Sequence, residues 1–388
     1  MINYLDKISE VLTVFFTKFL VTTTGLLAMF GLNGEPINNI ALNIIDEAPQ
    51  VEEVAIEEDI FLEEAEVTFT EKEDLKIEIE SILSQSTIVD EIKLPVVSIL
   101  PKISSEEVNT KTREALVNIF CTTKIGGSFK PITGSGIFID DRGVILTNAH
   151  VAQYFLLENY QMEGFINCLA RSGNPAKATY YVEPIYISPS WIKNNAGNLN
   201  EQNPKGTGED DYAFLLVTGS IVQGLALPEK FPFVKWQVDQ SEILTGTPLL
   251  VAGYPAGFLG GISIQKELWQ VSSFAEIKEL FYFEFPYNLD LFSIGGNIIA
   301  QKGSSGGVAV SLVNGYLTGL IVTSTLDGDT SERDMRAVTV SHVDRSLTKE
   351  KGEGIESFLD GDLNVLMDGF NNEEAPILRG LLVNELNK

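Results

Sequence analysis

Three short strings, far apart in the chain, each lie at the end of a strand-like apolar run. They are Thr147-Asn148-Ala149-His150, Asp211-Tyr212-Ala213-Phe214-Leu215 and Gly303-Ser304-Ser305-Gly306-Gly307. Histidine, aspartate and serine in that chain order match one of the few orders in which an acyl-transfer triad occurs. A fold that uses all three must bring three distant strand ends to one point. Only two histidines occur in the 388 residues, and His150 is one of them.

The chemistry explains the residue types. A serine hydroxyl is a weak nucleophile and needs a base within hydrogen-bond reach. An imidazole serves near neutral pH. A buried carboxylate fixes its tautomer and stabilises the imidazolium that forms. Glycines around Ser305 let the backbone turn tightly, so that the amides of Gly303 and Ser305 converge where an oxyanion develops. Each string alone has an ordinary reading: a flexible glycine turn, a structural histidine, a half-buried strand. Together and in order they point to catalysis, with His150 as base, Asp211 as its orienter and Ser305 as nucleophile.

Residues 110–345 resemble a trypsin-like serine protease domain, closest in texture to the bacterial HtrA type. The resemblance rests on Gly134 to Ile139, on Gly143 to His150, on Asp211 to Leu215, on Gly303 to Gly307 and on Gly319 to Thr323. It implies an all-β fold of two six-stranded antiparallel β-barrels with a closing C-terminal helix from about Val343. The catalytic groups would meet between the barrels. The base of the primary specificity pocket would fall on Ile299, with Ile298 and Val322 making it apolar. Substrate would lie as an extended strand against Val322, Thr323 and Ser324. The alternative for these isoleucines is plain barrel packing. Two positions depart from the family pattern. Ser304 stands where digestive enzymes carry an aspartate that pairs with a new N-terminus, so activation by insertion of a cut N-terminus is not expected. Val308 stands where a proline is usual. Residues 347–388 are too few for the peptide-binding PDZ domain that HtrA proteins often add. By family topology Cys121 and Cys168 fall on neighbouring strands and could pair outside the cytoplasm; the alternative is two buried free thiols.

The pattern of short apolar runs fits that fold. Runs at 116–123, 134–139, 144–147, 165–171, 177–187 and 212–217 supply a first barrel. Runs at 248–254, 261–270, 280–286, 308–312, 316–323 and 335–340 supply a second. Ser172-Gly173-Asn174-Pro175 reads as a hairpin turn. Residues 188–209, rich in Asn, Gly, Gln and Pro, read as a long surface loop at the cleft rim. Residues 104–115 read as a helix with Ser105 as a cap candidate.

Charge divides the chain. The formal net charge is −27. Residues 46–92 hold 17 acidic and 2 basic side chains, more than half of that excess. Such a block reads as solvated chain rather than core. The acidic balance also argues against nucleic acid as a partner, because phosphate binding needs a basic surface. Val11 to Leu32 is mostly apolar, interrupted by Lys18, and is long enough for a bilayer core of about 30 Å. An uncleaved signal anchor at 11–33 is the favoured reading, with the protease outside the cytoplasm. A cleaved signal peptide with its apolar stretch at 19–32, giving a secreted protein, and a peripheral or buried helix are the alternatives.

The resulting organisation is a short N-terminal segment (1–10), a membrane-spanning helix (11–33), an acidic linker (34–103), the protease domain (104–346) and a partly helical C-terminal tail (347–388). The tail either packs on the barrels or binds a partner. His342 reads as structural, since the catalytic position is already filled. No metal or other cofactor is called for. The function that follows is a membrane-tethered serine endopeptidase acting on exported or unfolded proteins. The alternative is a non-catalytic peptide-binding or scaffold protein on the same fold. The oligomeric state is not legible in the sequence.

Overall fold

The computed structural model describes residues 103–124, 132–201, 206–257, 259–284, 288–324 and 333–388. The N-terminal segment, the stretch at 11–33 expected to span a membrane and the expected acidic linker as far as residue 102 lie outside the described residues. Among the described residues no helix is long and apolar enough to cross a membrane.

Helix α1 (Ser105–Ala115) leads into the first strand and buries Val108, Thr112 and Ala115. Its cap position is Ser104, one residue before the expected Ser105. Glu106 and Glu107 in its first turn and Arg113 in its last complement the helix dipole.

The first half is a closed barrel of β1 (Leu116–Thr123), β2 (Ile132–Asp140), β3 (Val144–Thr147), β4 (Ile166–Ser172), β5 (Lys177–Ile187) and β6 (Ala213–Ser220). Its strand order is β1-β2-β3-β6-β5-β4, and β4 pairs back onto β1. The expected runs lie within three residues of these strands. β3 is buried along its whole length, which is why it reads as a continuous apolar run rather than an alternating one. Cys121 and Cys168 are register partners in the β1–β4 ladder and are joined by a disulfide.

Two short helices sit at the ends of these strands. α2 (Ala149–Ala152) follows β3 directly and carries His150. α3 (Pro189–Asn195), with a 3-10 turn at Ala196–Asn200, occupies much of the stretch expected to be loop. Its start is specified locally. The Ser188 hydroxyl accepts from the Trp191 amide, and Pro189 opens the helix. Trp191 and Ile192 anchor it to the core. The Asn and Gly content masked these signals.

The second half departs from a six-stranded closed barrel. It is a seven-stranded sheet in the order β8-β7-β11-β12-β13-β10-β9. Its strands are β7 (Pro248–Gly253), β8 (Val271–Glu276), β9 (Glu279–Phe281), β10 (Leu291–Gly295), β11 (Val308–Ser311), β12 (Leu317–Ser324) and β13 (Met335–Thr339). β8 and β9 form its two open edges. The run at 261–270 is not a strand. Helix α4 (Gly261–Lys266) occupies its first part and buries no side chain, and Ile262 is 75% exposed. Ile264 packs against the core while Ile262 faces solvent, a contrast that a short helix provides and that the period-2 pattern alone misread as a strand. β9 takes up the start of the run expected at 280–286, whereas β8 and β10 fall outside every expected run.

Helix α5 (Val340–Lys351) closes the sheet three residues before the expected start, capped by the Thr339 hydroxyl on the His342 amide. The tail then folds as α6 (Ile355–Asp360), α7 (Leu363–Gly369) and α8 (Ala375–Leu386). It packs on the first barrel: α7 lies on β5, and α8 lies against α3. Arg379 Nε donates to the Leu156 carbonyl at 2.8 Å, and Arg142 Nη2 donates to that of Leu359.

Candidate active site

β3 ends at Thr147, and Asn148 takes an extended conformation before α2 begins. That corner turns His150 toward β6. Asn148 Nδ2 donates to the Asp211 carbonyl at 2.9 Å, tying the two strand ends together. Asp211, buried, then accepts twice from the same residue. The His150 amide reaches its Oδ1 at 2.9 Å, and His150 Nδ1 lies 2.7 Å from its Oδ2. A carboxylate can only accept, so the proton sits on Nδ1 and Nε2 is left as the basic nitrogen. The imidazole is about one-third exposed, facing the cleft, with the Trp191 ring 6.3 Å away between centroids. Burial lowers its proton affinity, but the charge of Asp211 and the hydrogen bond to it outweigh this and hold its pKa above the ordinary 6.5.

The Ser305 loop is built on two left-handed glycines. Gly303 has φ +94° and Gly306 φ +80°. Neither tolerates a side chain: a Cβ at Gly306 would lie 1.9 Å from the Ser135 carbonyl oxygen, and one at Gly303 would lie 2.7 Å from that of Tyr254. The loop is sewn to the first barrel through Ser135. Its amide donates to the Ser305 carbonyl at 2.6 Å, its hydroxyl donates to that of Gly303 at 2.8 Å, and Tyr254 N donates to the same hydroxyl at 2.9 Å. The loop therefore lies against the start of β2 and the end of β3. A Cβ at Gly134 would touch both Val151, the neighbour of His150, and the Ser305 carbonyl.

Among the described residues the backbone N–H groups of Gly303 and Ser305 donate to nothing else in the chain. They are the pair expected to receive an oxyanion. The structure joins His150 to Asp211 directly and places the Ser305 loop beside them. It does not join Ser305 Oγ to His150 by a hydrogen bond.

Beside Ser305 lies a cavity of about 20 Å³, walled by Ile299, Ala300, Gln301, Ser304, Ile321, Val322 and Met335. Ile299 and Val322 are where the sequence places them. Ile298 points away, 58% exposed. Thr323 and Ser324 lie in β12, and their side chains are outside the described ones. Ile321 and Met335 were missed. Met335 arrives from β13 through its pairing with Ser324, and no local sequence signal announces it. The Ser304 hydroxyl donates to the Ile299 carbonyl, so this serine braces the pocket wall.

The trypsin-like peptidase domain family matches residues 134–320 of this chain. A search of curated proteins returns no match. Among solved structures the chain is similar to the Rv3671c protease of M. tuberculosis in its active form, at 18% identity, covering 62% of this chain and 83% of that one, with TM-score 0.38. It is similar to the serine endoprotease of Yersinia pestis at 16% identity, covering 65% and 68%, with TM-score 0.40. Deg5 matches at 16% identity, covering 63% and 94%, with TM-score 0.39. The assignment rests on the family match, which spans both the His150 and the Ser305 strings. By that match residues 134–320 are a trypsin-like peptidase domain, a domain of serine endopeptidases.

Proposed function

We propose that this chain cleaves peptide bonds with His150, Asp211 and Ser305, and that it does so outside the cytoplasm on exported or unfolded proteins, tethered by its N-terminal segment. The observation that carries the chemistry is the paired contact of Asp211 with the amide and Nδ1 of His150. It leaves one imidazole nitrogen basic and holds it in place.

The steps follow from the groups present. Ser305 Oγ attacks the carbonyl carbon while its proton passes to His150 Nε2. The carbonyl electron pair moves to oxygen, where the Gly303 and Ser305 amides receive it; one such donor is typically worth about 10²–10³ in rate. The tetrahedral adduct collapses, the C–N bond breaks, and His150 gives its proton to the leaving amine. Water then attacks the acyl-Ser305 ester with the same base, releasing the acid and restoring the serine. The approach of Ser305 Oγ to His150 tightens when substrate fills the cleft, as catalytic hydrogen bonds often do.

The small size of the cavity, with Ile299, Ile321, Val322 and Met335 among its walls, favours small side chains such as Ala or Val at the residue before the cut. The Cys121–Cys168 disulfide fits an oxidising compartment. The test is cleavage of unfolded casein by the full chain and by Ser305→Ala. Cleavage by the first and not the second supports the reading. A folded full chain that binds casein without cutting it favours the scaffold alternative.

A further inference from the structure

The second histidine is not idle. His342 is buried in α5 and stands between two carboxylates, one from each half of the molecule. Its Nδ1 lies 2.9 Å from Asp290 Oδ1, just ahead of β10. Its Nε2 lies 3.5 Å from Asp210 Oδ1, an ion-pair separation, and has no closer partner. Asp210 immediately precedes Asp211 and has φ +55°, the only described non-glycine residue with positive φ. That left-handed conformation is disfavoured and persists only when its surroundings impose it.

α5 supplies those surroundings. Ser346 Oγ donates to Asp210 Oδ1 at 2.5 Å and itself accepts from the Tyr212 hydroxyl at 3.1 Å. Residues on both sides of Asp211 are therefore held by this one helix. Resting on the triad reading above, we propose that His342, as an imidazolium shared by Asp210 and Asp290, is a positioning residue that sets the aim of Asp211 at His150.

The charge inventory explains why the protonated form is needed. Asp290 also accepts from Arg345 Nη2 at 2.5 Å and from the Phe283 amide at 2.8 Å. Glu209 and Lys349 act on the cluster from its rim, and the Phe283 ring packs against the imidazole at 5.1 Å. With His342 protonated, two cations face the two inner carboxylates, and each ring nitrogen carries a proton on the side of one of them. A neutral imidazole donates from one nitrogen only. Nδ1 keeps its proton toward Asp290, and the Nε2 lone pair then faces the Asp210 carboxylate. Burial lowers the pKa of His342, but the hydrogen bonds and charges of Asp210 and Asp290 raise it above 6.5 on balance. On this proposal the competent state has His150 neutral and His342 charged.

Since the chain has only these two histidines, their titrations can be read separately. The full-length Ser305→Ala protein, labelled at histidine Cε1, gives two ring signals in NMR, assigned with His342→Gln. The proposal predicts that His342 titrates at higher pH than His150, and that its deprotonation also shifts the His150 signal. In kinetics on labelled casein, His342→Gln lowers kcat roughly 10–100-fold at pH 7 with KM within about twofold, as a displacement near 1 Å does. The alkaline limb of wild-type activity vanishes in this variant. Adding Asp210→Asn to His342→Gln produces little further loss, because the amide oxygen still accepts from Ser346 and the charge contact with position 342 is already gone.

A folded His342→Gln protein with kcat within twofold and an unchanged alkaline limb overturns the proposal. So does a His342 titration that leaves the His150 signal still, a measurement that needs no altered clamp residue. Failure of the protease reading itself looks different: casein stays intact with the wild-type protein, while the coupling between the two histidine signals is still measurable.

Discussion

Gly306→Ala tests the geometry of the nucleophile loop most severely. The new Cβ would start 1.9 Å from the Ser135 carbonyl oxygen and 2.7 Å from Thr147 Oγ1. Comfortable non-bonded contact is nearer 3.5 Å, so loop and barrel must part by more than 1 Å. The left-handed conformation at φ +80° adds about 1–2 kcal/mol for any L-residue. Overpacking of this kind costs about 1–3 kcal/mol more. The sum, about 2–5 kcal/mol, corresponds to a melting temperature lower by on the order of 10 °C for a domain of this size. The parting also stretches the Ser135 amide contact to the Ser305 carbonyl, which displaces the hydroxyl from His150. A 1 Å misplacement costs about 10²-fold. Gly164→Ala is the control: its φ is +65°, yet nothing lies within 4 Å of a Cβ there. It should lose only about 1 kcal/mol of stability and leave acylation by a fluorophosphonate at the wild-type rate. The reasoning is refuted if Gly306→Ala acylates within threefold of wild type and melts together with Gly164→Ala.

Four further outcomes are expected. Asp211→Asn should lower kcat by about 10⁴, the effect known for loss of the orienting carboxylate. The same variant should move the acid limb of kcat/KM from above 6.5 to below it: Asp211 is what raises the His150 pKa, and burial alone lowers it. The base must be neutral to act, so wild-type activity falls as pH drops through that raised pKa. Replacing Cys121 and Cys168 by alanine should cost about 2–4 kcal/mol in denaturant unfolding, given the 47-residue separation the bridge spans. Val322→Ala should enlarge the pocket and raise the preference for Leu over Ala before the cut about tenfold in a peptide library.

The first barrel was legible because its strands are long apolar runs bounded by glycine, asparagine or charge. The candidate catalytic residues were legible for a related reason: each falls at such a boundary. What escaped notice depends on contacts between distant segments. Met335 reaches the pocket only through the β12–β13 register. Asp210 becomes conspicuous only when its φ and the approach of His342 are seen. The strand expected at 261–270 failed because two isoleucines at period 2 are too short a pattern to specify a strand: Gly260 and Gly261 open a short helix there that packs Ile264 on the core and leaves Ile262 in solvent. The seven-stranded sheet in place of a closed barrel turns on which edges pair, and periodicity does not encode that.

The central claim is that Ser305 is a nucleophile activated by His150 and Asp211. The direct measurement is reaction of the full-length protein with a fluorophosphonate, followed by mass-spectrometric mapping of the adduct. The account predicts one adduct, on Ser305, formed faster as pH rises through the His150 pKa and absent in Ser305→Ala. A folded wild-type protein that stays unlabelled, or labels on another serine, would contradict it.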